Sequence, residues 1–249
     1  MKGPRPRNVR IIVEYDGTAY FGWQVQAGRK TVQGEIERAV EEITGRRTTI
    51  FGSGRTDAGV HAAGQVANFK TASRIPARKW PLALNAHLPE DITVVSAEDV
   101  APEFHAQFNA KEKTYRYTIL NRDTPSALRR ARVHLIRVPL DVERMREGAS
   151  HLVGTHDFRA FGSEMAKKEK TVRTIRAATV ARDGDEIRFD FTGDGFLYNQ
   201  VRAMVGTLIE VGLGKRPAAW VRGVLAGGDR TKAGANVPAK GLCLVEVRY

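Results

Sequence analysis

Residues capable of chemistry are densest in one short segment, residues 52–62, whose sequence is GSGRTDAGVHA. It could cradle a phosphate, although it lacks the third glycine of a dinucleotide-binding loop and the Gly-Lys-Ser/Thr of a P-loop. It could be a structural turn in which Asp57 binds backbone amides and Gly59 supplies a positive φ. It could also be an active-site loop that presents Asp57 as a nucleophile or base beside Arg55. The local sequence leaves these three interpretations open.

A second candidate is Arg202, a cation on the otherwise apolar stripe of a predicted helix, residues 197–211. The same face carries three other side chains at helical spacing, namely Tyr198, Val205 and Ile209. An unpaired guanidinium is costly in low dielectric, so we expect an acid to meet it, and Asp57 is the candidate. Such a pair would keep the carboxylate ionised, as a nucleophile requires. Alternatively, Arg202 extends to the surface at the edge of the stripe.

A third candidate is the aromatic Tyr115 on the predicted strand 114–120. Tyr115, Tyr117 and Ile119 share one face of this strand by strict alternation. Tyr115 is therefore either a core residue or a platform on which a nucleobase stacks.

Positive charge is concentrated in the second half of the chain. The protein has a net charge of +12, and residues 1–110 carry 14 basic and 12 acidic side chains against 26 and 16 in residues 111–249. A basic run in the second half contains Lys167, Lys168, Lys170, Arg173 and Arg176, with only Glu169 to offset them. This run is either a solvated face or a set of contacts to RNA phosphates, and the overall charge favours a polyanionic partner.

The sequence lacks the residues and motifs that several kinds of catalysis require. The chain has one cysteine, Cys243, and its six histidines lack the spacing of metal ligands. HExxH, GxSxG and CxxC motifs are also missing. No apolar run is long enough for a signal peptide or a membrane span. We therefore expect a cytoplasmic protein with no metal site and no membrane contact.

The elements that must position these residues form two α+β halves, residues 1–108 and 109–249, with the active-site cleft expected between them. Hydrophobic periodicity predicts helices at 31–44, 76–87, 141–153, 197–211 and 218–226, the first capped by Thr31. It predicts strands at 9–14, 48–51, 65–69, 92–97, 114–120, 172–181, 186–192 and 242–249. The sequence thus predicts an α+β fold with a mixed, mainly antiparallel sheet flanked by helices.

Taken together, four groups of residues resemble the TruA family of tRNA pseudouridine synthases over essentially the whole chain. They are YDGTAYFGWQVQ (15–26), GRTDAGVHAAGQV (54–66), FHAQFNA with KTYRY (104–117) and FLYNQVRAMVGTLIEVG (196–212). The resemblance implies a pseudouridine synthase fold in which each half is similar to an RNA-binding α/β sandwich. It also implies a homodimer that isomerises uridine in the anticodon stem-loop of tRNA without a metal or other cofactor.

The resemblance also implies roles for individual residues. Asp57 becomes the catalytic nucleophile, Tyr115 the residue against the target base and Arg202 the partner of the aspartate. Arg55 and Thr56 belong to the same substrate-binding loop. The basic residues Lys167, Lys168, Lys170 and Arg173 are expected to contact the RNA backbone.

The reaction itself leaves three routes open for Asp57. The carboxylate could add to C6 of the base, attack C1′ as a retaining glycosidase nucleophile does, or remove a sugar proton to give a glycal. In each route the uridine must leave its stack, and Tyr115 could then stack on the extruded base. Tyr115 could also help to remove the proton from C5.

Two other classes of function share part of this pattern. A non-catalytic RNA-binding protein would need the positive charge and Tyr115 but not Asp57. A nucleobase methyltransferase or deaminase would need a nucleophilic thiol or a zinc site. Cys243 lies in the apolar closing strand, where we expect it to be buried and inert.

Overall fold

The protein has an α+β fold, as predicted, built from two compact units. The computed structural model describes residues 6–163 and 170–249, which contain ten β-strands and five α-helices. The first unit comprises residues up to Lys111 together with 244–249, and the second comprises residues 112–243. The last six residues therefore belong to the first unit, whereas the sequence analysis placed them in the second half.

The first unit is built on an antiparallel sheet in the order β4-β1-β3, with the short β2 paired to β3. These strands are β1 (Arg7–Tyr15), β2 (Phe51–Gly52), β3 (His61–Thr71) and β4 (Ile92–Val100). β10 (Leu242–Arg248) lies next to β3. Gly64 of β3 allows this approach, because a Cβ there would lie 2.5 Å from the carbonyl oxygen of Val245.

Two helices, α1 (Val32–Thr44) and α2 (Trp80–Asn85), complete the first unit. Thr31 caps α1 by accepting a hydrogen bond from the amide of Gly34, which confirms the predicted start of this helix. The apolar stripe of α1 is buried, as its spacing predicts. Trp80 of α2 packs edge-on against Phe69 of β3, with ring centroids 5.1 Å apart.

The second unit has a sheet in the order β5-β9-β8-β7, with β6 parallel to β5. Its strands are β5 (Glu112–Asn121), β6 (His134–Ile136), β7 (Gly154–Asp157), β8 (Val172–Asp183) and β9 (Glu186–Gly193). Its helices are α3 (Val142–Ser150), α4 (Gln200–Gly212) and α5 (Ala219–Gly227). The β5–β6 pair makes the sheet mixed, while the β5–β9, β9–β8 and β8–β7 pairs are antiparallel.

The predicted elements differ from the structure mainly where they are short. β6 and β7 have three and four residues and were not predicted, since so few residues carry no clear alternation. The predicted strand 48–51 was wrong except for its last residue, because the preceding residues lie outside β2. The predicted helix 76–87 contains α2, preceded by a 3-10 turn over Ala77–Lys79.

None of the helices in residues 6–163 and 170–249 has both the length and the apolar character needed to cross a membrane.

Candidate active site

The loop of residues 53–60 in the first unit carries Asp57 on a tight turn. The amide of Val60 donates to the carbonyl oxygen of Asp57 at 3.1 Å, and Gly59 between them has a φ of 76°. This φ is the one that a type II turn requires at its third residue, so the expected glycine turn is confirmed. The turn hydrogen bond uses the backbone of Asp57, and its side chain is half-buried. The turn therefore places the carboxylate at a defined position.

A second segment, residues 15–23, holds this loop through the backbone. The amide of Trp23 donates to the carbonyl of Thr56 at 3.1 Å, and the amide of Gly59 donates to the carbonyl of Tyr20 at 3.2 Å. Two glycines make this approach possible. A Cβ on Gly22 would lie 2.4 Å from the oxygen of Thr56, and a Cβ on Gly17 would lie 2.0 Å from the oxygen of Val60. The glycines of the YDGTAYFGW sequence thus serve the loop that carries Asp57.

Thr56 faces the interior of the first unit. It is 6% exposed, and its hydroxyl shares a hydrogen bond of 2.8 Å with the hydroxyl of Tyr15. The Tyr15 ring packs near Trp23, with centroids 6.1 Å apart. Arg55, by contrast, is exposed. The two neighbours of Asp57 in the loop therefore differ: Thr56 anchors it, and Arg55 faces solvent.

The base of the loop is fixed by a buried polar pair. Ser53 donates to the side-chain oxygen of Gln65 at 2.6 Å, and the Gln65 amide nitrogen donates to the carbonyl of Gly54 at 2.9 Å. The Ser53 amide also donates to the carbonyl of Val66 at 2.7 Å. Because Gln65 is fully buried, these contacts satisfy its polar atoms away from water. They join the loop to β3.

His61 begins β3, directly after the loop. The amide of Gly17 donates to Nδ1 of His61 at 3.0 Å. A carboxylate oxygen of Asp16 lies 3.2 Å from the same nitrogen. His61 is therefore a buried acceptor that helps hold the segment 15–23.

In the second unit, Tyr115 lies on β5 with its ring almost covered. It is 8% exposed, stands opposite Phe191 of β9 and meets Phe196 edge-on at a centroid distance of 5.2 Å. Its neighbours Tyr117 and Ile119 on the same face are fully buried. Tyr115 thus stands at the end of a packed aromatic row, where the buried part of the strand begins.

Arg202 lies on the first turn of α4 and is held by two hydrogen bonds. Its Nε donates to the carbonyl of Val237 at 2.7 Å, and its Nη1 donates to the side-chain oxygen of Asn199 at 2.8 Å. Arg202 is half-buried, so its guanidinium is hydrogen-bonded and at the same time partly exposed at the edge of the apolar stripe. The predicted contact face was partly wrong, because α4 begins at Gln200 and Tyr198, before it, is 51% exposed. Asn199 takes the place assigned to Tyr198.

The Val237 carbonyl reaches Arg202 because the segment 234–238 lies against α4. Its approach needs a glycine on the helix, since a Cβ on Gly206 would lie 1.8 Å from the oxygen of Ala235. The amide of Gly234 donates to the hydroxyl of Thr207 at 2.8 Å, and the amide of Val237 donates to the carbonyl of Arg202. Gly206 and Thr207 therefore position the segment that orients Arg202.

Lys113 is a further charged residue near Tyr115 that the sequence analysis did not single out. It precedes Tyr115 by two residues on β5 and so lies on the same face of the strand. Burial lowers the pKa of its ammonium to about 8, and the positive charge of Arg173 lowers this pKa further. A lysine in an alternating strand resembles any solvated residue, so the sequence held no signal for this.

Only part of the basic run at 167–176 lies within the described residues. Lys167 and Lys168 lie outside the described residues. Lys170 is exposed, and Nη1 of Arg173 donates to the carbonyl oxygens of Lys170 and Val172 at 2.6 and 2.8 Å. Arg176 forms an ion pair of 3.2 Å with Glu112. The start of β8 is therefore a basic surface, with Lys170 exposed and Arg173 folded against the backbone.

The structure thus brings the predicted site residues together in two sets. Arg55, Thr56 and Asp57 share the loop of the first unit, while Tyr115 and Arg202 belong to the second unit. The pairing of Arg202 with Asp57 stays a prediction. Cys243 is partly exposed rather than buried as expected. Within the described ranges, no group of three or more His, Cys, Asp or Glu residues could hold a metal ion.

Comparison with known proteins identifies a consistent set of relatives. A family model described as tRNA pseudouridine synthase matches residues 11–109 and 149–249. The chain is 46% identical to tRNA pseudouridine synthase A 2 of Clostridium perfringens over 98% of this chain and 100% of the relative. It is 49% identical, with the same coverage of both chains, to tRNA pseudouridine synthase A of Acetivibrio thermocellus and to that of Brevibacillus brevis.

Proposed function

The chain belongs to the tRNA pseudouridine synthase family, and from this premise we propose that Asp57 is the carboxylate with which it isomerises uridine in tRNA. The enzyme is an isomerase that acts on tRNA. The observation that supports Asp57 is the construction of its loop. Backbone hydrogen bonds from residues 15–23 and the close-packed glycines Gly17 and Gly22 fix the turn, and the half-buried Asp57 is carried on it. Such preorganisation is what a positioned nucleophile requires.

The reaction needs only one well-placed carboxylate. The N1–C1′ bond breaks, a C5–C1′ bond forms, and the proton lost from C5 is balanced by the proton gained at N1. Nothing is oxidised or reduced, so Asp57 can act by addition to C6, by attack on C1′ or by removal of a sugar proton. Addition and attack need an ionised nucleophile, and proton removal needs an ionised base.

We propose that Arg202 keeps Asp57 ionised. A guanidinium next to a carboxylate lowers the pKa of the acid and fixes its orientation through charge-assisted hydrogen bonds. Arg202 is already oriented within its own unit by Val237 and Asn199. The pair is thus proposed to join a loop of the first unit to a helix of the second, with the active-site cleft between the two units.

We propose that Tyr115 receives the target base after it leaves the stack. Its ring suits contact with an extruded base, because Phe196 fixes the ring from its edge. The exposed guanidinium of Arg55 is proposed to contact the RNA next to the target nucleotide. Thr56 contributes by anchoring the loop through Tyr15.

The substrate region and the assembly follow the same proposal. We propose that the enzyme acts on the anticodon stem-loop, as a homodimer, in the cytoplasm, where tRNA is used. Lys167, Lys168, Lys170 and Arg173 are proposed to bind phosphates of the stem. Because each phosphate contact releases about one counterion, a Lys170→Ala variant should lower the slope of log K against log salt by about 1. An unchanged slope would remove Lys170 from the interface.

The proposal for Asp57 is tested by release of tritium from tRNA that contains 5-tritiated uridine. We expect release by the wild type and none by Asp57→Asn, whose tRNA affinity should be unchanged because the substitution is isosteric. Tyr115→Phe, measured in parallel, tests the hydroxyl: unimpaired turnover would exclude Tyr115 from removal of the C5 proton. Equal release by Asp57→Asn and wild type would overturn the assignment of Asp57.

A further inference from the structure

Asn199 has a backbone conformation that residues with a side chain seldom adopt. Its φ is 65° and its ψ is 1°, and among the described residues it is the only non-glycine residue with a positive φ. Asparagine tolerates the left-handed region better than most residues but is still disfavoured there relative to glycine. A glycine at this position would remove the cost, so the side chain of Asn199 must contribute something that glycine lacks.

The side chain of Asn199 does not make the contact that its position favours. It is the residue before the first turn of α4, where asparagine usually accepts a hydrogen bond from a backbone amide of the helix. Within the described part of the chain, Asn199 makes no such capping bond. Its oxygen instead accepts a hydrogen bond from Nη1 of Arg202 at 2.8 Å. Asn199 therefore has a disfavoured backbone conformation, and its side chain contacts Arg202 instead of capping α4.

That contact completes a two-point attachment of the guanidinium. Val237 accepts from Nε and Asn199 from Nη1, so two separate atoms of the planar group are fixed. Together, these two contacts define the plane and the direction of the guanidinium. They use two of the five N–H groups of the guanidinium.

We propose that Asn199 is a positioning residue that, together with the Val237 carbonyl, aims the Arg202 guanidinium at the catalytic carboxylate. This inference rests on the proposed pairing of Arg202 with Asp57. The loop that carries Asp57 is rigidly built, so a partner that rotates could not follow it. The left-handed backbone at Asn199 is the conformation that directs its side-chain oxygen to Nη1 rather than to the amides of α4.

The test compares two substitutions at this position. Asn199→Gly keeps the backbone conformation and removes the acceptor, while Asn199→Asp keeps an acceptor oxygen and a tolerated conformation. We expect Asn199→Gly to lower kcat by about ten- to hundredfold, with KM and tRNA affinity unchanged, because misplacement of a catalytic partner acts mainly on the chemical step. Asn199→Asp should recover most of this loss.

Thermal unfolding separates positioning from a merely structural role. Glycine relieves the backbone cost, so Asn199→Gly should unfold at the same temperature as the wild type or higher, even though it turns over more slowly. A fall in melting temperature that parallels the fall in kcat would contradict the inference. So would full kcat in Asn199→Gly.

A measurement on Arg202 itself needs no activity. In wild-type enzyme the guanidinium N–H signals of Arg202 should be resolved by NMR, because rotation is hindered, and in Asn199→Gly they should merge. Unchanged signals would overturn the inference. If Asp57→Asn is inactive while Asn199→Gly is fully active, only this inference fails. If Asp57→Asn is active, the proposed function itself fails.

Discussion

The two units hold their proposed site residues by different means. In the first unit, the loop of residues 53–60 is fixed through backbone hydrogen bonds and through glycines that allow main chains to touch. In the second unit, Arg202 is fixed through its own side chain, by the side-chain oxygen of Asn199 and the carbonyl of Val237. The proposed nucleophile, Asp57, is thus placed by the main chain, and its proposed partner by side-chain hydrogen bonds.

This difference has a consequence for substitution. A loop held by main-chain contact offers no flexible group that can move aside, so an added Cβ must displace backbone. A side chain held by hydrogen bonds loses one contact at a time, and the rest of the unit stays folded. We therefore expect changes at main-chain contacts, in either unit, to reduce stability and activity together. Changes to a side chain that hydrogen-bonds Arg202 should reduce activity alone.

The largest expected effect is that of Gly17→Ala. The new Cβ would lie 2.0 Å from the carbonyl oxygen of Val60, so the loop or the segment 15–23 must shift. We expect a loss of about 3 kcal/mol in the free energy of unfolding, the upper end of overpacking costs, together with loss of tritium release. Urea denaturation and the tritium assay measure the two effects.

Gly28→Ala is the matched control for this substitution. Gly28 has a φ of 69° and nothing within 4 Å of its added Cβ, so alanine there meets only backbone strain. The expected loss is about 1 kcal/mol, with activity kept. If both variants lose the same stability, main-chain contact is not what holds the loop.

A smaller effect is expected from Gly206→Ala in the second unit. Its Cβ would lie 1.8 Å from the carbonyl oxygen of Ala235, so α4 and the segment 234–238 must move apart. This shift would take the Val237 carbonyl away from Arg202. We expect a loss of about 2 kcal/mol in the free energy of unfolding and a lower kcat.

The control lies on the neighbouring helix α5. Gly223 has nothing within 4 Å of an added Cβ, so Gly223→Ala should raise the free energy of unfolding by about 0.5–1 kcal/mol and leave kcat unchanged. Normal kcat in Gly206→Ala would show that the position of Val237 does not govern Arg202.

The sequence predicted this architecture unevenly. Helix α1 with its Thr31 cap, the strands β5 and β9 and the helix that carries Arg202 were predicted because long hydrophobic repeats and capping residues are local signals. β6 and β7 are too short to show a repeat. The return of residues 244–249 to the first unit was not predicted, because it depends on a close approach at Gly64 that no local pattern records.

The residues of the candidate site were also predicted unevenly: local patterns gave some of them, and contacts distant in sequence were missed. The turn at Asp57 was predicted because it has a local signature, Asp-x-Gly, whereas the catalytic role of Asp57 was predicted only from the resemblance to the family. The contacts of Arg202 were not predicted, since Val237 is distant in sequence and the start of α4 was placed too early, which put Tyr198 where Asn199 acts. The helix begins three residues later than predicted, so Tyr198 lies before it. The helical spacing that placed Tyr198 beside Arg202 therefore does not apply.

The smallest expected effect concerns charge within the second unit. Lys113 has a pKa of about 8 because it is largely desolvated, and the cation of Arg173 adds to this. Arg173→Gln removes a like charge, so the pKa of Lys113 should rise, and an NMR titration of the lysine side chains measures it. Lys170→Gln removes a charge from the same surface and is the control. Equal shifts in both variants would show a general field effect rather than an effect of Arg173.

The sign of the accompanying stability change follows from the same pKa. The folded state binds the Lys113 proton more weakly than the unfolded state, in which the lysine has its ordinary pKa of 10.5. Between about pH 8 and 10.5 the unfolded state therefore holds more protons, and Lys113 makes stability rise with pH in that window. Arg173→Gln should flatten this rise, because it brings the two pKa values closer.

Bound tRNA should also raise the pKa of Lys113, since phosphates favour the charged form. An unchanged value in the complex would place Lys113 away from the RNA.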